Sequence, residues 1–212
     1  MSFMAEQKKE NKKGLKILAA GDFHGDSRAA EKLAEKAEKE HVDLVILSGD
    51  IQGHQTTRGM IHPFQKRGQK VVFIPGNWDT SVEAAEMRDT YGIKNIDCYH
   101  VNYNGVDIVG IGSPDWKLEL NEKKTLAKLE KIFEKLKDTD SPKVLVSHLH
   151  AAGSLAEFSG IPGDIAVAKA MKYLQPDVLI ASHIHEAEGL EQKIGKTRIF
   201  QVGKKGKIIE VK

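Results

Sequence analysis

Apolar residues in this chain fall into short runs separated by stretches of helical spacing, and the pattern starts at Leu15. Leu15-Lys16-Ile17-Leu18-Ala19-Ala20 reads as a buried strand. From Ser27 to His41, Ala30, Leu33, Ala34 and Ala37 share one face, which predicts an amphipathic helix with Ser27 as its N-cap. Val42 to Ser48 reads as a second strand and Val71 to Ile74 as a third. Ile61 and Phe64 mark a short helix before Gly68, and Val82 to Tyr91 forms the next helix. Strand followed by helix, repeated, is the signature of an α/β sheet.

The middle of the chain changes character. Tyr99 to Tyr103 and Val106 to Ile111 flank Asn104-Gly105, a strong two-residue hairpin signal. Leu126, Leu129, Ile132, Phe133 and Leu136 recur at helical spacing between Asn121 and Lys137. Lys143 to Ser147 and Val178 to Ala181 read as strands, with a helix from about Asp164 to Leu174 between them. Gly189 to Ile194, Thr197 to Val202 and Lys207 to Val211 read as a closing meander with glycine turns. No internal repeat or linker interrupts residues 14–212, which read as one domain, and the Lys/Glu-rich residues 1–13 read as a disordered tail. Parallel units mixed with hairpins predict two packed sheets covered by helices on both outer faces.

Composition narrows the function classes. A chain of 212 residues with 40% apolar and 29% charged residues is that of an ordinary globular domain. Its 32 basic and 30 acidic residues leave a net charge of +2, which argues against long nucleic acid as a partner. No segment approaches the roughly 20 consecutive apolar residues of a membrane helix, and no secretory leader is evident, so no membrane association is expected. Cys98 is the single cysteine, which rules out an intrachain disulfide and suits a reducing, cytoplasmic setting.

The chemistry lies where the strands stop. Gly21-Asp22-Phe23-His24, Gly49-Asp50, Gly76-Asn77-Trp78-Asp79, Ser147-His148 and Ser182-His183-Ile184-His185 each end an apolar run with metal-ligand residues. Taken singly, Asp or Asn beside Gly is common turn chemistry. Taken together they offer seven donors: Asp22, His24, Asp50, Asn77, His148, His183 and His185. Hard oxygen mixed with imidazole nitrogen suits divalent metals that activate water. Open α/β sheets bind ligands outside the carboxyl ends of their strands, so the donors converge if these strands share an edge. Two ions roughly 3.5–4 Å apart can clamp the attacking and leaving oxygens of a phosphoryl displacement, with a hydroxide held between them as nucleophile. Glycine before these donors is expected to admit unusual backbone conformations and close approach.

In this order, Asp22-x-His24, Gly49-Asp50, Gly76-Asn77-x-Asp79, His148 and His183-x-His185 resemble the motifs of the calcineurin-like metallophosphoesterases. The likeness spans Asp22 to His185 and points to the small prokaryotic phosphodiesterase branch. It implies a four-layer α/β/β/α sandwich with two mixed sheets and a centre of two divalent ions, manganese foremost, with iron, zinc or nickel as alternatives. By position, Asp22, His24 and His185 would hold the first ion. Asn77, His148 and His183 would hold the second, and Asp50 would bridge them as the central catalytic carboxylate. A small phosphoester is the implied substrate.

Two departures from the family pattern are informative. The third motif carries Trp78 where the family has a histidine that assists the leaving group. Indole donates a hydrogen bond but cannot act as a useful acid. General acid catalysis contributes about 10²–10⁴-fold, so its loss favours phosphodiesters over poor monoester leaving groups. Trp78 either packs or stacks on an aromatic part of the substrate, and Asp79 loses the partner that gives it a role. His54 stands where the related protein phosphatases carry a phosphate-gripping arginine, and it is expected to face the phosphate and partly replace the missing histidine. His150 is expected in a loop, and His62 and His100 have no evident partner. The competing function is a protein-binding scaffold, since one eukaryotic retromer subunit of this family lacks the same histidine. Retention of all seven donors argues against it.

Overall fold

The protein is described by a computed structural model that covers residues 14–52 and 59–212. Two sheets form its centre. The first contains β1 (Leu15–Ala20), β2 (Leu44–Leu47), β3 (Val71–Phe73), β4 (Lys94–Asn95) and β11 (Lys207–Val211), in the order β11-β1-β2-β3-β4. The second contains β5 (His100–Tyr103), β6 (Val106–Ile111), β7 (Lys143–Ser147), β8 (Val178–Ala181), β9 (Glu191–Ile194) and β10 (Thr197–Gln201), in the order β5-β6-β7-β8-β10-β9. Strands β1 to β4 run parallel, as do β6, β7, β8 and β10, while β5, β9 and β11 pair antiparallel at the edges.

The period of two along each strand builds the layers. Ile17, Ile46 and Val72 of the first sheet meet Ile108, Val146, Ile180 and Phe200 of the second in an apolar interior. Leu18, Val45 and Phe73 face outward, under α1 (Ser27–Lys39), α2 (His62–Lys66) and α3 (Ser81–Tyr91), through Leu33, Phe64 and Met87. Leu145, Leu179 and Ile199 face the other way, under α4 (Glu122–Leu136) and α5 (Ile165–Leu174), through Leu129 and Val167. This is the expected four-layer α/β/β/α sandwich with two mixed sheets. Because both faces of the central strands are covered, they read as continuous apolar runs. Among the described residues no helix is long and apolar enough to cross a membrane.

Two local expectations are corrected, and one strand is added. The cap of α1 is Asp26, not Ser27: its carboxylate accepts the Ala29 N–H at 3.0 Å. Asp and Ser cap comparably well, so adjacent cap residues leave the choice to the incoming chain. The short strand β4 has no apolar run and forms because Asn95 pairs beside Phe73. The closing segments are not one meander. The β9–β10 hairpin stays in the second sheet, while the turn through Gly203 and Gly206 carries β11 to the first, where Ile209 and Val211 pair with Ile17 and Leu15. The Asn104-Gly105 hairpin forms as read, with φ of 49° and 80° at the two turn residues.

Candidate metal centre

The five motifs meet at one edge. Strands β1, β2 and β3 end at Ala20, Leu47 and Phe73, shortly before Asp22/His24, Asp50 and Asn77, and β7 and β8 end before His148 and His183/His185. The sheets are stitched together there. The Ser48 carbonyl lies 2.9 Å from His148 Nδ1 and accepts the Ser182 hydroxyl at 2.8 Å. Backbone bonds from Asp22 N–H to Gly49 O (3.0 Å) and from His24 N–H to Asp50 O (2.9 Å) tie the first two loops side by side.

The unusual conformations fall chiefly on the donors themselves. Asp22, His24, Asp50 and His183 have φ of 54°, 46°, 51° and 73°. Each such non-glycine residue costs of order 1–3 kcal/mol, a strain that persists only where surrounding structure imposes it and that gathers at functional sites. Of the glycines expected to be left-handed, only Gly49 is, at φ 100°. Gly76 is required for close approach: a Cβ there would run into Asp50 Oδ1.

Asp50 lies close to two of the imidazoles, and Asp22 is common to both donor clusters. Asp50 Oδ2 lies 3.7 Å from His24 Nε2 and 3.5 Å from His148 Nε2, and its Oδ1 accepts the Trp78 backbone N–H at 2.9 Å. His24 Nε2 and His185 Nε2 approach to 3.2 Å, and the His148 and His183 rings stand 5.2 Å apart. Asp22 takes the His183 backbone N–H at 3.1–3.2 Å. The donor atoms of Asp22, His24 and His185 form one tight cluster, and those of Asp22, Asp50 and His148 a second. His183 belongs to neither cluster and joins through its ring contact with His148.

The residues fit a pair of divalent ions on their own chemistry. With His148 Nδ1 donating to the Ser48 carbonyl, Nε2 presents its lone pair to Asn77 Oδ1 2.8 Å away. Two acceptors face to face are the arrangement of two ligands of one cation. Asp22 and Asp50 are each 2% exposed, and among the described residues no lysine or arginine acts on their carboxyl groups. To stay ionised, carboxylates buried in this way require a positive partner. Burial lifts Asp50 to about 6, and burial together with the Asp50 charge lifts Asp22 well above the usual carboxylate range. Burial lowers His148 and His183 to about 4, so both are neutral donors at physiological pH. The clustered carboxylates and imidazoles suit a dinuclear metal centre.

Asp79 does have a role: fully buried, it accepts the N–H groups of Ile51 (3.1 Å), Gln52 (3.0 Å) and Gly76 (2.8 Å), and so holds the loops of Asp50 and Asn77 together. Trp78 is 39% exposed and meets the His24 ring edge-on at 5.7 Å, so it lines the site rather than filling the core. His150 lies in the loop after β7, as expected, and is buried there at 1% exposed, with Nε2 3.2 Å from the Ile161 carbonyl. His100, on the edge strand β5 of the second sheet, pairs with Asp107 at 2.8 Å. His54 lies outside the described residues. Sequence reading missed Trp116, whose ring stands 4.9 Å from that of Trp78. No motif marks it; an unassigned tryptophan between a strand and a helix was the one available signal.

With the geometry in view, comparison with known proteins gives the class. The profile of the calcineurin-like phosphoesterases matches residues 15–187, and the chain belongs to that family. Comparison with curated proteins yields no match. Among solved structures, TT1561 of Thermus thermophilus is similar with a TM-score of 0.72 at 18% identity, over 93% of this chain and 99% of that one. A dimetal phosphatase from Danio rerio is similar with a TM-score of 0.63 at 13% identity, over 90% and 88% of the two chains. The phosphopantetheinyl hydrolase of Mycobacterium tuberculosis is similar with a TM-score of 0.62 at 16% identity, over 90% and 89%. Likeness at these identities establishes the shared fold.

Proposed function

We propose that this protein is a phosphoesterase dependent on two divalent ions, manganese foremost, that hydrolyses a small or nucleotide-like phosphodiester. The observation that carries the proposal is the position of Asp50, with Oδ2 between His24 and His148 and Oδ1 held by the Trp78 N–H. In this reading Asp22, His24 and His185 hold one ion, Asn77, His148 and His183 hold the other, and Asp50 is shared. Two such ions supply Lewis acidity toward phosphoryl oxygens and activate water near neutral pH.

The chain's own groups prepare that chemistry. The Ser48 carbonyl sets the tautomer of His148 and so directs Nε2 inward. Asp79 braces the loops that carry Asp50 and Asn77. The Trp78 backbone fixes one oxygen of Asp50, while its indole occupies a position from which it can stack on a substrate ring but can move no proton. Leaving groups that depart without full protonation are therefore favoured, and among common phosphoesters that points to activated diesters. His54 is assigned to the phosphate. A His54→Ala variant should retain its metal and lose about tenfold or more in diester turnover; an unchanged rate would remove His54 from the mechanism.

The test of the whole reading is turnover of an aryl phosphodiester and an aryl phosphomonoester side by side, with manganese supplied. Faster diester hydrolysis is expected. No turnover of either ester by metal-loaded protein would overturn the reading in favour of a binding scaffold.

A further inference from the structure

We propose that Trp116 and Trp78 together form a recognition corner for a flat aromatic ring carried by the substrate, with Trp116 as a specificity-determining residue. The inference rests on the phosphoesterase reading for the location of the phosphate, and it deepens that reading by naming the ester's other half as an aryl group or nucleobase.

The corner is built, not incidental. The two indoles stand 4.9 Å apart with planes inclined at 64°, and Trp78 in turn meets the ring of His24 at 5.7 Å and 90°. A planar group seated there can lie flat on one indole and offer its edge to the other, as aromatic pairs prefer. Both side chains keep much of their surface open to solvent, Trp78 at 39% and Trp116 at 55%. Exposed indole beside a polar, carboxylate-rich site is apolar area that a ligand can cover.

The loop that presents Trp116 is held against its intrinsic preference. Asp115 and Trp116 are consecutive left-handed residues, at φ 66° and 62°. For a residue as bulky as tryptophan that conformation is an outlier, and it persists because the loop is bolted to the donor-bearing segment beside it. Ser113 N–H donates to Pro75 O at 3.0 Å, Asp115 N–H to Asp79 O at 3.1 Å and Trp116 N–H to Asn77 O at 2.9 Å. The Asp115 carboxylate accepts both the backbone N–H and the hydroxyl of Ser81, at 2.8 and 2.6 Å. The indole position is thereby registered to the peptide unit between Asn77 and Trp78, whose carbonyl receives Trp116 and whose N–H holds Asp50.

Trp78 and Trp116 are the two tryptophans of the sequence, so intrinsic tryptophan fluorescence reports on this corner alone. The experiment titrates manganese-loaded full-length protein with AMP and, separately, ribose 5-phosphate, reading fluorescence by stopped flow before turnover. AMP is expected to bind about tenfold more tightly and to quench more strongly, within the range that base–aromatic stacking supplies. Trp116→Ala should bring the two affinities to within about twofold, and Trp116→Phe should keep most of the preference, with Trp78 still reporting. Equal affinities in the unaltered protein, or an undiminished preference in a folded Trp116→Ala variant, would overturn the proposal. If Trp116→Ala fails to fold, loss of the preference in Trp116→Leu against its retention in Trp116→Phe decides the point. The phosphoesterase reading stands or falls on turnover of the two aryl esters, so its failure is distinguishable from failure of the aromatic corner.

Discussion

At the scale of single residues, the site depends on which atoms face each other. Asp50 is the shared donor of the proposed centre, so Asp50→Asn should lower metal content and turnover together, turnover by at least about 100-fold. Metal content by elemental analysis beside ester hydrolysis checks this, and full activity in that variant would remove the two-metal assignment. Asp79 makes a different contribution. Its carboxylate satisfies three buried or half-buried N–H groups, so Asp79→Ala should cost on the order of 3 kcal/mol in urea unfolding, because the abandoned donors keep their desolvation penalty. Protonation adds a third expectation. The metal-binding form of Asp22 and Asp50 is the carboxylate, and burial holds Asp50 at about 6 and Asp22 above its ordinary range. Loading at pH 5.5 must therefore expel protons that are already gone, at Asp50, by pH 8. His148 and His183, at about 4, are neutral throughout and release none. Apparent affinity should rise with pH below about 6, by about tenfold per unit for each proton expelled. Calorimetry in buffers of different ionisation enthalpy counts those protons, and a pH-independent affinity would exclude the buried carboxylates as ligands.

At the scale of elements, the strand ends and helix caps do most of the positioning. Asp164 caps α5 by accepting the Val167 N–H at 2.9 Å, and its other oxygen accepts the Leu120 N–H at 2.8 Å just before α4. Asp164→Ala should therefore cost about 2 kcal/mol, the high end for an N-cap, since it frees a loop as well as a helix start. Denaturant titration at fixed metal content measures it. Much at this scale was legible from spacing. The boundaries of β1, β6, β7 and β8 fall where the apolar runs fall, because those strands are covered on both faces and leave no ambiguity of period. The strand β4 was not legible: Lys94 and Asn95 carry no strand signal, and only the waiting edge of β3 makes them one.

At the scale of the whole molecule, the two sheets are joined at the site by Ser48, His148 and Ser182, while β11 covers the edge of β1 and sends Ile209 and Val211 into the core between the sheets. Removing residues 207–211 should leave the edge of β1 unpaired and strip Ile209 and Val211 from the apolar interior, giving aggregated rather than folded protein on size exclusion. Most strand and helix runs, the four-layer class and the gathering of candidate donors at the strand ends could be read from the chain alone, because burial on both faces forces long apolar runs and because metal chemistry admits few residue types at strand ends. Only the tertiary structure decided what lay between distant segments. It moved β11 into the other sheet, turned Asp79 from a residue without a partner into the brace of two loops, buried His150, and brought Trp116 from an unmarked loop to the face of Trp78. Contacts of that kind depend on which backbone groups and rings meet once the sheets have packed, and no local period or motif in the chain encodes such a meeting.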